Sequence, residues 1–440
     1  MQESRIISTA SPPAFEGRDK FLVPLLVCWD IFSPHEEGPL ADIHCSWAGT
    51  ASFGRSVVAW TILLLTSPAP ADFFAFKHLG EKKLLQGNPL AQYADGVLLV
   101  EGPDLQHYTI EPSDLLDWKD KGRAVKPWGK DQLRTELKRS FGNDFYVQMT
   151  SHYAIVYNTD VAFARQAGTL LERTYSVFRA TFANRGAFQF EDLRQPLVAV
   201  VLKSRQEYLD ATKEELGQTL AWSAGMYAQN TNRFYMYDAY EGNLERRKSV
   251  ALTNVRGASS QTGSGLDRES IEVIVHEGTH QLAFNFGIHD RHAHTPVWFI
   301  EGLATYFEAA DPKSTDGWAR AGNLNPHRLD HLQSIFASLP KGILNTLATR
   351  DQLFYDTKTN GDAYSLSWAL TYYLMKTKAT GYIRYVRLMK ARGLMPMEEE
   401  TRLEDFRKAF GTTPAGLEDD FKRYMVGVFA AQAKGNLSTR

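Results

Sequence analysis

The hydrophobic pattern changes period along the chain. Phe145–Met149 and Tyr153–Tyr157 are two β-prone runs split by a short turn, which predicts a hairpin. Ala164, Ala167, Leu171, Tyr175, Phe178 and Phe182 then recur at helical spacing, with Thr159 placed to cap that helix. Pro196–Leu202 is continuously apolar, as a strand buried on both faces requires. Met226–Gln229 and Phe234–Tyr237 flank Asn230-Thr231-Asn232 and predict a second hairpin. Together these runs predict a mixed sheet with at least one exposed edge, and such an edge can pair with an extended backbone.

After residue 255 the pattern becomes helical. Residues 256–265 (RGASSQTGSG) form a Gly/Ser-rich linker. A helix follows, with Asp267 as N-cap and Gly287 as its stop after Phe286. The next helix is expected to open with Thr295 as N-cap and Pro296 at its first position. Beyond Asp311-Pro312, helix starts are marked by Asn325-Pro326 and Thr413-Pro414, and amphipathic segments run through 364–376, 382–391 and 402–426. Upstream, Val97–Val100 and His107–Ile110 read as strands around the turn Gly102-Pro103-Asp104, and Asp117–Lys138 reads as a connector of some helical character. The expected class is α+β. Residues 1–71 are a leader, 72–144 a small β-containing module, and 145–440 one larger domain with an α/β part (145–255) and a helical part (266–440).

Composition narrows the function classes only slightly. The 440 residues carry 49 basic and 51 acidic side chains, a net charge of −2, and no basic tract that would bind nucleic acid. Cys28 and Cys45 are the only cysteines, so the rest of the chain has neither disulfides nor thiolate metal sites. Arg55, the apolar run Ser56–Leu65 and the small-residue stretch ending at Ala71 have the form of a secretory signal. That run falls short of the roughly 20 residues a membrane-spanning helix needs. The expectation is an exported protein with no integral membrane span. Its mature chain would begin near Asp72, the start of the open reading frame being set too far upstream. A second apolar run, FLVPLLVCW after Lys20, has no small-residue site behind it.

The chemistry concentrates between Asp267 and Glu308. His276-Glu277-Gly278-Thr279-His280 places two imidazoles four residues apart on an apolar helix, where both reach one metal ion. Catalytic zinc takes three protein ligands and keeps a position open. Ala283 and Phe286 stand where an extended three-histidine motif would need glycine and histidine, so the third ligand must come from elsewhere. Glu301, 21 positions after His280 on the next helix, is the candidate, with Glu308 as runner-up. Thr305 and Glu308 share the face of Glu301 and are placed to hydrogen-bond a ligand histidine from behind. Glu277 would be the general base on a water activated by the metal. His289, His292 and His294 crowd the following loop and are expected to be solvated, whereas Trp368, Tyr372 and Tyr373 fall at core spacing.

The HEGTH motif followed by Pro296-Val297-Trp298-Phe299-Ile300-Glu301-Gly302 resembles the gluzincin zinc metallopeptidases, the clan of thermolysin and the aminopeptidase N group. It looks closest to an uncharacterised bacterial peptidase-MA-like branch described as a domain of unknown function. The resemblance covers residues 145–430, with motif-level specificity between 276 and 308. It implies a zincin-like catalytic domain, one Zn2+ held by His276, His280 and Glu301, Glu277 as catalytic base, and a peptide or protein substrate. Tyr364 resembles the tyrosine that stabilises the oxyanion in the aminopeptidase branch. Ala224-Gly225-Met226-Tyr227 lacks the acidic residue of the aminopeptidase substrate motif, which favours an endopeptidase. The alternative is a zinc-stabilised binding or scaffold domain that keeps the fold without turnover.

Overall fold

The computed structural model describes residues 72–78, 80–120, 124–183, 190–221, 223–239, 266–311, 314, 317–392 and 397–434. Before residue 72 it describes only short strand pieces, among them Cys28–Asp30, Trp60–Thr61 and Leu63–Leu64. The signal-like segment 55–71 therefore falls almost entirely outside the described residues, and the linker 256–265 does so completely. The chain divides into two compact units, the boundary lying between Gly129 and Lys130, with Pro24–Asp30 belonging to the second unit.

The first unit is antiparallel. Strands β1 (Asp72–His78), β2 (Glu81–Gln92), β3 (Leu98–Glu101), β4 (His107–Ile110) and β5 (Leu115–Asp120) form a sheet in the order β4-β3-β2-β1-β5. Phe74, Phe76, Leu85, Leu98, Val100, Tyr108 and Ile110 make its core. The stretch read as a connector from Asp117 begins instead as strand β5. It is held there by pairing with β1 and by the Trp118 indole, which donates to Asp72 at 2.6 Å. That partner lies 46 residues away, so local pattern does not reveal it.

In the second unit, α1 (Lys130–Phe141) leads into β6 (Tyr146–Met149), β7 (Tyr153–Tyr157), α2 (Val161–Ala183), β8 (Leu197–Leu202), α3 (Arg205–Leu216), β9 (Ser223–Ala228) and β10 (Arg233–Tyr237). The sheet order is β6-β7-β8-β10-β9, and Cys28–Asp30 pairs antiparallel along the outer side of β9. Both expected hairpins form. β8 runs parallel to β7 and β10 and is buried at every residue, as its apolar run requires. The cap of α2 is a correction: the Asp160 carboxylate accepts from the Ala162 and Phe163 amides, while the Thr159 hydroxyl donates to Asp238 at 2.9 Å.

Two helices are buried along nearly their whole length. In α4 (Arg268–Asn285) every residue from Ser270 to Phe284 is buried, and in α5 (Val297–Glu308) every residue is. Asp267 caps α4 through the Ser270 amide at 2.6 Å, and Gly287, at φ +66°, turns the chain after Phe286. α5 is not capped by Thr295. The helix begins at Val297, and its amide donates at 3.1 Å to Asp351, a carboxylate gripped in turn by two Arg402 nitrogens at 2.8 and 2.7 Å. Close approach explains two glycines. A Cβ on Gly278 would stand 2.8 Å from Leu171 of α2, and one on Gly302 would strike the Thr371 hydroxyl and lie 2.7 Å from the Ser367 carbonyl.

The remaining helices are α6 (Pro326–Ile335), α7 (Ile343–Thr349), α8 (Gln352–Tyr355), α9 (Asn360–Thr377), α10 (Ala379–Arg392), α11 (Glu399–Phe410) and α12 (Pro414–Ala433). Asn325 and Thr413 cap α6 and α12 as expected. Trp368, Tyr372 and Tyr373 are buried. The second unit is thus mixed α+β, a sheet followed by a helical half. No helix among the described residues is long and apolar enough to cross a membrane.

Candidate metal centre

A helix buried all round ordinarily carries apolar side chains, yet α4 and α5 hold Glu272, His276, Glu277, His280, Gln281, Glu301 and Glu308 inside the protein. Gln281 is accounted for by structure: its amide donates to the Val198 carbonyl at 3.0 Å and the Asn232 carbonyl at 2.9 Å, fastening α4 to the sheet. Glu272 accepts from Arg268 at 2.8 Å, and the remaining five gather about one place.

The Nε2 atoms of His276 and His280 are 3.0 Å apart, and Glu301 Oε2 lies 3.4 Å from the first and 3.6 Å from the second. A metal bound tetrahedrally at zinc–nitrogen and zinc–oxygen distances separates its donors by about 3.3 Å. The three edges bracket that value. His276 Nδ1 is 2.5 Å from Glu308 Oε2, so Nδ1 donates to that carboxylate and Nε2 is the ring atom turned toward His280 and Glu301. The donor atoms of His276, His280 and Glu301 thus converge, all within 4.8 Å of one another. Without a metal, a proton on His276 satisfies the set: burial works against the imidazolium, but Glu301 and Glu308 raise the group to about 10, and a metal cation would take that proton's place. These residues could hold a metal ion, and Glu308 lies behind His276, outside the three converging donors.

Behind His276 the support extends further. Glu308 Oε1 accepts from Asn325 Nδ2 at 2.6 Å and from Arg328 Nε at 3.4 Å, and all of these groups are buried. Burial alone would raise the Glu308 carboxyl, but Arg328 and then His276 and Asn325 outweigh it and hold the group down at about 2. Glu308 is therefore a fixed anion. Thr305 takes no part: its hydroxyl donates to the Glu301 carbonyl of its own helix at 2.7 Å. A β-hydroxyl at that spacing reaches the preceding turn before any other acceptor.

Glu277 is wholly buried and has no side-chain hydrogen-bond partner among the described residues, the Tyr227 backbone amide being the donor nearest its carboxyl. Burial pushes its carboxyl up to about 8, with Glu301 and Glu308 adding to the effect; His276 and the Tyr227 backbone amide of β9 work against it. A Cβ on Gly225 of β9 would come within 3.0 Å of Glu277, so strand and carboxylate are neighbours. A dication at the three ligands would draw the carboxyl back toward its ionised form.

Tyr364 lies on the Arg328 side of this network. Its ring is 5.1 Å beneath the Arg328 guanidinium and edge-on to Phe354. Tyr355, at the end of α8, was not singled out by sequence. It is 60% exposed, and its phenol is lifted to about 12, first by desolvation of the hydroxyl and then by Asp351, with Glu301 contributing. Of the three loop histidines, His294 is exposed and His292 half-buried, but His289 is 1% exposed, against expectation. Sequence reasoning also missed Asn325 and Arg328, because a helix cap and an arginine in a charged stretch give no local sign that they face a carboxylate on another helix.

Residues 270–397, which include every ligand candidate, Glu277, Glu308 and Tyr364, match a family model described as "Protein of unknown function (DUF1570)". No curated protein matches the chain.

Proposed function

We propose that this chain is a zinc-dependent peptidase of gluzincin type, acting as an endopeptidase, with His276, His280 and Glu301 as the metal ligands. The observation that carries the reading is a buried carboxyl with no side-chain partner, Glu277, one residue from a donor set whose edges fit a tetrahedral dication. A purely structural zinc takes four protein ligands, and among the described residues three donors converge. When bound, the ion supplies Lewis acidity, lowering the pKa of a water toward neutrality and polarising the scissile carbonyl. Glu277 takes the proton released as the water oxygen attacks, and returns it to the amine nitrogen as the C–N bond breaks. Tyr364 is assigned to donate to the developing oxyanion, on the resemblance described above. The β9 edge supports a peptide substrate, since it lies beside Glu277 and already accepts Cys28–Asp30 as an antiparallel strand. Export belongs to the same proposal and rests on the segment 55–71; a native chain beginning at residue 1 or 2 by mass spectrometry would end it.

Metal analysis and a peptide-hydrolysis assay on wild type and Glu277→Gln test the core of the proposal. Both proteins should carry about one zinc per chain, with turnover in the variant down by about 10²-fold or more. Equal turnover in the two would remove Glu277 from the mechanism, and a wild type that binds no zinc would remove the site. Zinc binding without turnover on any peptide would favour the zinc-stabilised binding domain.

A further inference from the structure

His289 is a buried titratable side chain that the proposed chemistry leaves unused. Both of its ring nitrogens are inaccessible and meet no side-chain partner among the described residues, the Ile288 backbone being the polar group beside the ring, and Nδ1 of His280 has no partner there either. Buried imidazole nitrogens so poorly matched are unusual, because a buried polar group without a partner costs about 1–3 kcal/mol.

The backbone explains how they meet. After α4 ends, Gly287 in the left-handed region folds the chain back, so that the Ile288 and His289 amides both donate to the Ala283 carbonyl, at 2.9 and 3.1 Å. The turn lays the His289 ring 5.2 Å from Phe284, which shares a helix face with His280 one turn earlier. On the other side the ring meets Phe299 of α5 edge-on at 5.1 Å, two residues before Glu301. His289 is thus wedged between the two helices that carry the ligands. Burial first and the neighbouring His280 second favour its neutral form, against a backbone hydrogen bond with Ile288.

We propose that His289 is a positioning residue for the metal centre, taking the hydrogen bond of the His280 Nδ1–H through one buried water and so fixing the orientation of that imidazole. His276 has Glu308 for this task; His280 has no carboxylate, and His289 supplies a neutral acceptor in its place. A ligand histidine needs such a partner to hold its tautomer and ring angle, and loss of one lowers metal affinity about ten- to a hundredfold. The inference rests on the metal-binding reading above.

Zinc affinity measured by chelator competition on purified full-length protein tests it. Histidine 289 sits between phenylalanines, so His289→Phe keeps the packing and removes the acceptor, whereas His289→Gln keeps an acceptor. The expected result is a metal-free His289→Phe protein that unfolds near the wild-type temperature but binds zinc about ten- to a hundredfold more weakly, with His289→Gln recovering most of the loss. Wild-type affinity in folded His289→Phe overturns the inference. A second measurement needs no variant: in zinc-loaded wild type with ¹⁵N-labelled histidine, the His280 Nδ1 proton should be hydrogen-bonded and slow to exchange, and a freely exchanging proton overturns the inference equally. Wild-type protein that binds no zinc would instead refute the metal site itself, so the two failures are distinguishable.

Discussion

Removing Glu308 separates two roles that this carboxylate combines. It orients His276 through Nδ1 at 2.5 Å and neutralises Arg328, whose side chain is 3% exposed, at 3.4 Å. Glu308→Leu strands that guanidinium inside the protein, and breaking a buried pair from one side costs about 3–5 kcal/mol. The same change frees the His276 ring, and zinc affinity should fall by about ten- to a hundredfold. In the double variant Glu308→Leu/Arg328→Met the stranded charge is gone, and replacing a buried pair with apolar groups is close to neutral. Stability should therefore return to within about 1–2 kcal/mol of wild type, allowing for the Asn325 amide that also loses its acceptor. Zinc affinity should stay low. Urea unfolding of the metal-free proteins reads the first quantity and chelator competition the second. A double variant that binds zinc as tightly as wild type would falsify the role of Glu308 on His276, leaving it only as the counter-ion of Arg328.

Two further perturbations probe the frame around the site. Gly302→Ala places a methyl group against Thr371 and the Ser367 carbonyl, and should cost about 1–3 kcal/mol by thermal unfolding with weakened zinc binding, because Glu301 is the adjacent residue; an unchanged melting curve would contradict the close packing of α5 on α9. Glu272, paired with Arg268 at 2.8 Å, is raised to about 7, chiefly by burial. A carboxyl whose folded pKa is raised contributes most below its unfolded pKa and loses that contribution as pH climbs through the folded value. Metal-free wild type should accordingly lose up to about 3 kcal/mol between pH 4.5 and pH 8 relative to Glu272→Gln, and parallel stability–pH curves for the two would count against this account.

The two-helix site was readable from local pattern where local physics governs it. The i,i+4 spacing of His276 and His280 needs only a helix to aim both rings one way, and Asp267 and Gly287 delimit that helix through bonds within a few residues of themselves. The continuous apolar run of β8 likewise announced a strand covered on both faces. Glu301 followed from the need for a third ligand and from the length of the intervening chain, and its separation from the two histidines agrees with a shared ion.

What acts across long sequence separations was decided only by the tertiary structure. Thr295 has the chemistry of an N-cap, yet the first amide of α5 goes to Asp351, a stronger acceptor brought in by Arg402 from 51 residues further along. Thr305 and Glu308 stood as equals behind the ligands until packing gave Glu308 an arginine, an asparagine and a histidine while Thr305 bonded its own helix. His289 looked like one of three solvated loop residues, and a single left-handed glycine turned it under α4 into the interior. Capping, helical spacing and strand burial are set by neighbours in sequence, so the chain itself carries them. Which buried donor faces which acceptor depends on elements that meet only after folding.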